Sequence, residues 1–282
     1  MVAEGHEVRI GASVLEVSRS GYYAAKVRPT SARAVRHAWL TDLITEVHAE
    51  SRGTYGAPRV HAELRLGRGV IVGHNAVARL MRTAGVRGAM GPSKDHYRHR
   101  SPDIADLVDR NFVRQRPNEL WVTDITEHPT REGKVYCAVV LDVFSRRVVG
   151  WSIDMSPTAA LTTNALGMAI ESRKPDPGGV IHSDHGPQFT AWAFTSRARS
   201  SGLLPSMGSV GDCFDNAVME SFWSRVQVEL LDRQRWRTRV ELANALFEYL
   251  EVFHNHRRRH SSLGMQTPAE FEKNHVNPLA VA

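Results

Sequence analysis

A mixed-sheet α/β core preceded by a small all-helical region is the fold class this sequence predicts. Three observations carry that prediction. Apolar residues recur at helical spacing before about residue 91 and in β-rich runs after residue 118. The second part opens with three meandering β runs and then alternates helix and strand, the pattern of a mixed sheet with helices on it. Charge divides at the same place: residues 1–118 hold 19 Lys+Arg and 11 Asp+Glu, whereas residues 119–282 hold 17 and 19.

The first elements are short helices. Residues 14–23 read as the turn and second helix of a helix-turn-helix, although its first helix would need 8–12, a poor helical stretch. Leu40, Leu43, Ile44 and Val47 stand at i, i+3, i+4 and i+7 of an amphipathic helix. The run Ser51-Arg52-Gly53-Thr54-Tyr55-Gly56 breaks that helix, and Pro58 suits the first turn of another. A third begins near His74, turns Ala76, Val77, Leu80, Met81 and Ala84 inward, and stops at Gly85. Its outer face offers Asn75, Arg79 and Arg82, residue types that meet phosphates and base edges. A polar, proline-containing stretch over 92–117 reads as a linker. The expected domains are thus 1–30 (partial helix-turn-helix), 36–91 (helical, DNA-binding), the linker 92–117, and a core over 118–275.

In that core, 120–128 and 135–143 form a hairpin through Arg131-Glu132-Gly133-Lys134, and 148–153 is a third strand. A helix over 158–172, a short buried strand at 180–183, a helix over 191–200 and a fifth strand from Leu203 follow. Two long helices, about 215–231 and 239–255, close the chain. The longest apolar stretch, 135–141, is far below the roughly 20 residues of a membrane span, and the first ten residues show no secretory signal. Two cysteines make neither a disulfide framework nor a metal knuckle, so a reducing cytoplasmic setting is expected. The formal charge of +6 and pI near 9.6 favour a polyanionic partner.

Three acids stand out. Asp124 lies inside the first strand among Trp121, Val122 and Ile125, where a carboxylate is costly without compensation. Asp184 ends the fourth strand, at the edge where α/β sheets bind ligands, and Glu220 occupies the first turns of a helix. Between them lie 59 and 35 residues. Three converging carboxylates call for hard divalent cations, Mg²⁺ or Mn²⁺, and a pair of such ions suits phosphodiester displacement.

These residues and their flanks resemble the second-frame (OrfB) proteins of bacterial insertion-sequence transposases, which share an RNase H-like DDE core with retroviral integrases. The resemblance is carried by 121–126, Cys137-Ala138-Val139-Val140-Leu141-Asp142 through Trp151, His182-Ser183-Asp184-His185-Gly186-Pro187-Gln188-Phe189, 211–223, 249–271 and, upstream, 54–60 and 77–85. It implies a metal triad of Asp124, Asp184 and Glu220 with two Mg²⁺ or Mn²⁺. It also implies cleavage at transposon ends and attack of the freed 3′-OH on another phosphodiester. Double-stranded DNA, an OrfA-type fusion or partner and a homo-oligomer on DNA are the implied partners. Nucleoid association and a natural start that need not be Met1 are implied too. One position departs: family members often carry Lys or Arg seven residues after the glutamate, where this chain has Gln227 with Arg225 nearby.

Other residues have quieter readings. Asp142 suits a turn bond, and Asp212 and Asp215 suit helix capping. Asn216 and His182 are candidates to orient the triad. His182 and His185 would make a zinc pair only with further ligands, which the sequence does not place nearby. Arg59, Arg225, Arg257 and Arg258 are candidate phosphate contacts, and the basic run 254–260 reads either as a solvated helix end or as a DNA contact. The rival functions are a non-catalytic DNA-binding regulator or relic, and an RNase H-type nuclease.

Overall fold

A computed structural model describes residues 8–90, 114–207 and 217–276. Most of the 92–117 linker, Asn216, Asp212, Asp215 and Cys213 therefore lie outside the described residues.

The chain begins with α1 (Val8–Val14) and α2 (Arg19–Val27). The expectation that 8–12 is too poor to be helical is thus corrected. Propensity is a weak prior over so short a stretch, and Ala12 is buried. Glu16 turns the chain at φ 53, and the Ser18 hydroxyl caps α2 by accepting from the Gly21 N–H. Next come α3 (Ala32–Glu50), α4 (Ala57–Ala62), which runs on as a π-helical turn over Glu63–Gly67, and α5 (His74–Thr83). Leu40, Ile44 and Val47 of α3 are buried together with Val60, Leu64, Val77, Leu80 and Met81. Ala84, expected inside, is exposed, because α5 has already ended and Gly85 takes φ 71.

Five strands form one sheet in the order β3-β2-β1-β4-β5. β1 (Leu120–Thr130), β2 (Gly133–Asp142) and β3 (Val148–Asp154) are an antiparallel meander. β4 (Val180–Ser183) lies parallel to β1, and β5 (Leu204–Met207) parallel to β4. This mixed sheet with helices on both faces is the RNase H-like arrangement.

Side chains alternate across the sheet. Trp121, Ala138, Val140 and Val149 face α6 (Ala159–Arg173) and α8 (Trp192–Ser200), burying Leu161, Leu166, Phe194 and Ala198. β3 reaches α6 so closely that a Cβ at Gly150 would collide with the backbone of Ala165 and Ala169. A four-residue turn of helix, α7 (Pro187–Thr190), precedes α8. Leu120, Val122, Cys137, Val139 and Leu141 face the other way, onto α9 (Ala217–Glu229) and α10 (Arg239–Phe247). α10 does not continue as α-helix to 255 but widens into a π-helical segment over Glu248–His254.

The helical region shares that second core, with Tyr55 and Val60 in one apolar cluster with Tyr249 and Phe253. The last helix, α11 (Pro268–Val276), starts with a reciprocal cap: the Glu270 N–H donates to Thr267 Oγ1 and the Thr267 N–H to Glu270 Oε2. Among the described residues no helix is long and apolar enough to cross a membrane.

Candidate active site and nucleic-acid surfaces

Strand register positions the first two acids. Val122 of β1 pairs with His182 of β4 in parallel, and Asp124 and Asp184 each stand two residues further along. Neighbouring strands lie about 4.8 Å apart, so the two residues occupy adjacent positions of this register. Asp124 shares the β1 face of Leu120 and Val122, the face that α9 covers, and Glu220 comes from the first turn of α9.

The electrostatics reflect this meeting. The Asp124 carboxyl is raised from 3.8 to about 6, first by burial and then by the negative charges of Asp184 and Glu220. Opposing this, its Oδ1 accepts from the Ile125 N–H at 2.8 Å. The indole N–H of Trp223, one turn after Glu220, is buried, completes no hydrogen bond among the described residues, and still draws the Asp124 value down. Asp184 and Glu220 are exposed, and Asp184 is steadied by the Gly186 N–H at 2.9 Å.

A trio of carboxylates that raises its own innermost pKa is the donor chemistry a hard divalent ion satisfies. Among the described residues, however, no three His, Cys, Asp or Glu side chains already stand at metal-closing spacing. His182 is buried and shares a hydrogen bond with Ser206 Oγ at 3.0 Å inside the sheet, while His185 is exposed beyond it. Asp142 is a structural acid: it accepts from the Asn118 and Phe144 N–H groups and faces Arg173.

The candidate DNA contacts divide. Asn75, Arg79 and Arg82 are exposed along α5, as are Arg225 and Arg257. Arg258 is not a surface residue, which corrects the expectation. Its Nε and Nη2 donate to Glu229 at 2.7 Å each, and both side chains are 4% exposed. Glu229 also accepts from the Tyr249 hydroxyl and stands 3.6 Å from Arg59, whose Nε donates to the Arg259 carbonyl. Arg59 thus serves a junction between α4 and the C-terminal segment before it can serve DNA.

The same holds for much of the run 254–260, which is not a solvated helix end as a unit. Asn255 bonds both the N–H and C=O of Val148, and Arg259 pairs with Glu63 and Glu270. Gln227 is turned to Asp232. Sequence reasoning missed Trp223 as a neighbour that acts on Asp124, and Arg146, which joins Arg59 and Arg225 at one cleft. The i, i+3 spacing of Glu220 and Trp223 was the available signal for the first.

Comparison with known proteins now bears on this geometry. Residues 36–93 match an HTH-like domain, and residues 114–213 and 201–268 match integrase core domains. The chain is 37% identical to the transposase for insertion sequence element IS629 of Shigella sonnei, covering 93% of this chain and 90% of that one. The chain belongs to the insertion-sequence transposases. An IS600 31 kDa protein of Shigella sonnei is also 37% identical, over 93% of this chain and 97% of its own length. The InsF transposase of IS3A from Escherichia coli is 34% identical over 93% of each. Solved structures with related backbones include the HTLV-2 integrase catalytic core in complex with magnesium. It has a TM-score of 0.42 and 22% identity, covering 56% of this chain and 97% of that one. Membership of this transposase family rests on the sequence relatives alone.

Proposed function

We propose that Asp124, Asp184 and Glu220 are the catalytic carboxylates of a DNA strand-cleaving and strand-joining enzyme, holding two Mg²⁺ or Mn²⁺ ions between them. The observation that carries this reading is the parallel β1–β4 register, with Asp124 and Asp184 each two residues beyond the Val122–His182 pair and Glu220 on the helix that covers that sheet face. When bound, the ions supply charge neutralisation and hydroxyl activation at a phosphodiester. The chain's own part is placement. Asp124 is fixed in a strand, Asp184 is held by the Gly186 amide, and Glu220 rides on a helix packed against the same sheet face. The exposure of Asp184 and Glu220 leaves the site open to a polymer.

In cleavage a water oxygen bonds to phosphorus as the 3′-oxygen leaves with a proton. In joining, that 3′-OH bonds to a target phosphorus and displaces the target's own 3′-oxygen, so bonds are exchanged without an external energy source. Residues 36–91 form the DNA-binding domain, 1–30 a helix-turn-helix-like arm, 92–117 the linker and 118–275 the core. Asn75, Arg79 and Arg82 face the duplex, with Arg257 at its edge. Asn216 and His182 support the acids from outside their direct contacts. The enzyme acts as a homo-oligomer on double-stranded DNA, with an OrfA-type fusion or partner, in the bacterial cytoplasm at the nucleoid.

The test is a labelled duplex carrying the element's ends, incubated with Mg²⁺ and a second, unlabelled target DNA. Products joined to the target are expected; hydrolysis without any joining would favour a simple nuclease and overturn the proposal.

A further inference from the structure

Where the helical region meets α9 and the C-terminal segment there is a cleft of about 370 Å³, and its walls are markedly cationic. Arg59 enters from α4, Arg146 from the turn after β2, Arg225 from α9, and Arg258 forms part of the floor. Ser221 and His260 add polar atoms. Burial holds His260 well below its usual pKa, so it adds no charge near neutral pH.

Among the described residues the charges on these walls do not balance. Glu229 bonds Arg258 through both carboxylate oxygens and reaches Arg59 only at 3.6 Å. Arg225 and Arg146 form no ion pair among the described residues; Asp142 acts on Arg146 only at a distance. Burial first, and then the positive charges of Arg258 and Arg225, push the Arg59 pKa down against the pull of Glu229, and all three arginines line the same cleft. Arg146 also sits at φ 60, a left-handed conformation unfavourable for a side chain of its size, secured by His254 Nε2 on its carbonyl. Glu229 offsets part of the positive charge gathered around this cavity, and an anion placed between the remaining arginines would relieve their mutual repulsion.

We propose that this cleft binds a single backbone phosphate of the DNA substrate, with Arg225 and Arg146 as its guanidinium donors and Ser221 as a hydroxyl donor. Forked guanidinium groups match phosphate oxygens in geometry as well as charge. The proposal rests on the DNA-processing role given above and extends it to a contact outside the carboxylate site. At 3.6 residues per turn Ser221 and Arg225 share one face of α9, turned about 100–140° from Glu220, with Arg225 about 7.5 Å along the helix axis. A phosphate held here therefore lies around α9 from the carboxylates, on a part of the duplex other than the cleaved linkage.

The test is duplex binding by fluorescence anisotropy in metal-free buffer across a salt series, for the full chain and for Arg225→Ala, Arg146→Ala and the double variant. Each single variant is expected to weaken binding about tenfold and to lower the slope of log K against log salt by about 0.9, the value for one phosphate. The double variant should lose the same single phosphate, not two. An unchanged slope for Arg225→Ala overturns the proposal. So does a double variant that loses two phosphates, because the arginines would then serve separate contacts. Should Arg146→Ala unfold, Arg225→Glu, a change at an exposed side chain with no ion pair among the described residues, carries the test with a larger loss. Inorganic phosphate separates the two sources of the anion. If it raises the Tm of the wild type but not of Arg225→Ala, while duplex slopes are equal, the cleft serves a free anion and the DNA assignment is wrong. Because metal is absent, the result does not depend on whether the carboxylates catalyse cleavage.

Discussion

Asp124 owes its position to strand periodicity and its pKa to what that position brings near. Two residues beyond Val122, it must share the face that α9 covers, and there Asp184 and Glu220 act on it. A carboxyl whose folded value of about 6 exceeds its ordinary 3.8 keeps, in the native state, a proton that the unfolded chain has lost. Stability contributed by that proton is present below about pH 4 and is lost as pH rises toward 6. Asp124→Asn should therefore stabilise the metal-free protein at about pH 7 by on the order of 2 kcal/mol. Urea denaturation at about pH 7 and pH 4 checks this, and the gain should vanish at the lower pH. Asp124 and Asp184 were legible in the sequence because a charged residue inside or just past an apolar strand is anomalous. Arg258 was not. Its partner Glu229 lies 29 residues away at the end of α9, and nothing local distinguishes a buried arginine from a solvated one.

At the scale of elements, the strands and most helices were readable because their periods are clean. β4 is found where its apolar run lies, and α6 begins after its Thr158 cap, as its turn chemistry requires. The failures have local causes. α1 depends on burying Ala12, which no short window reveals, and the π-helical turns after α4 and α10 follow from tertiary packing rather than propensity. α5 illustrates the division of labour on one helix. Val77, Leu80 and Met81 are buried while Asn75, Arg79 and Arg82 face solvent. If that outer face meets DNA, Arg79→Ala and Arg82→Ala should each lower the salt slope of duplex binding by about 0.9 with little change in Tm. Slopes equal to wild type would place recognition elsewhere.

Across the whole molecule, the basic first part and the slightly acidic second part are joined by a polar seam built over an apolar one. The Tyr55 hydroxyl donates to the Arg257 carbonyl and accepts from the Arg259 N–H, while Arg259 pairs with Glu63 and Glu270. The charge asymmetry was visible in the sequence, but the seam was not, because its partners are some 200 residues apart. With one apolar cluster spanning both parts, a single calorimetric unfolding transition is expected. Tyr55→Phe should cost about 1–3 kcal/mol by leaving the buried Arg259 N–H without its acceptor, and two separate transitions in the wild type would contradict the shared core. The central claim is that three acids, on β1, just past β4 and on α9, act as one catalytic group on DNA. Strand cleavage of an end-bearing duplex in Mg²⁺ tests it most directly, measured for Asp124→Asn, Asp184→Asn and Glu220→Gln alongside duplex binding. The account predicts that each variant binds DNA and cuts none; cleavage near the wild-type rate by any one of them would contradict it.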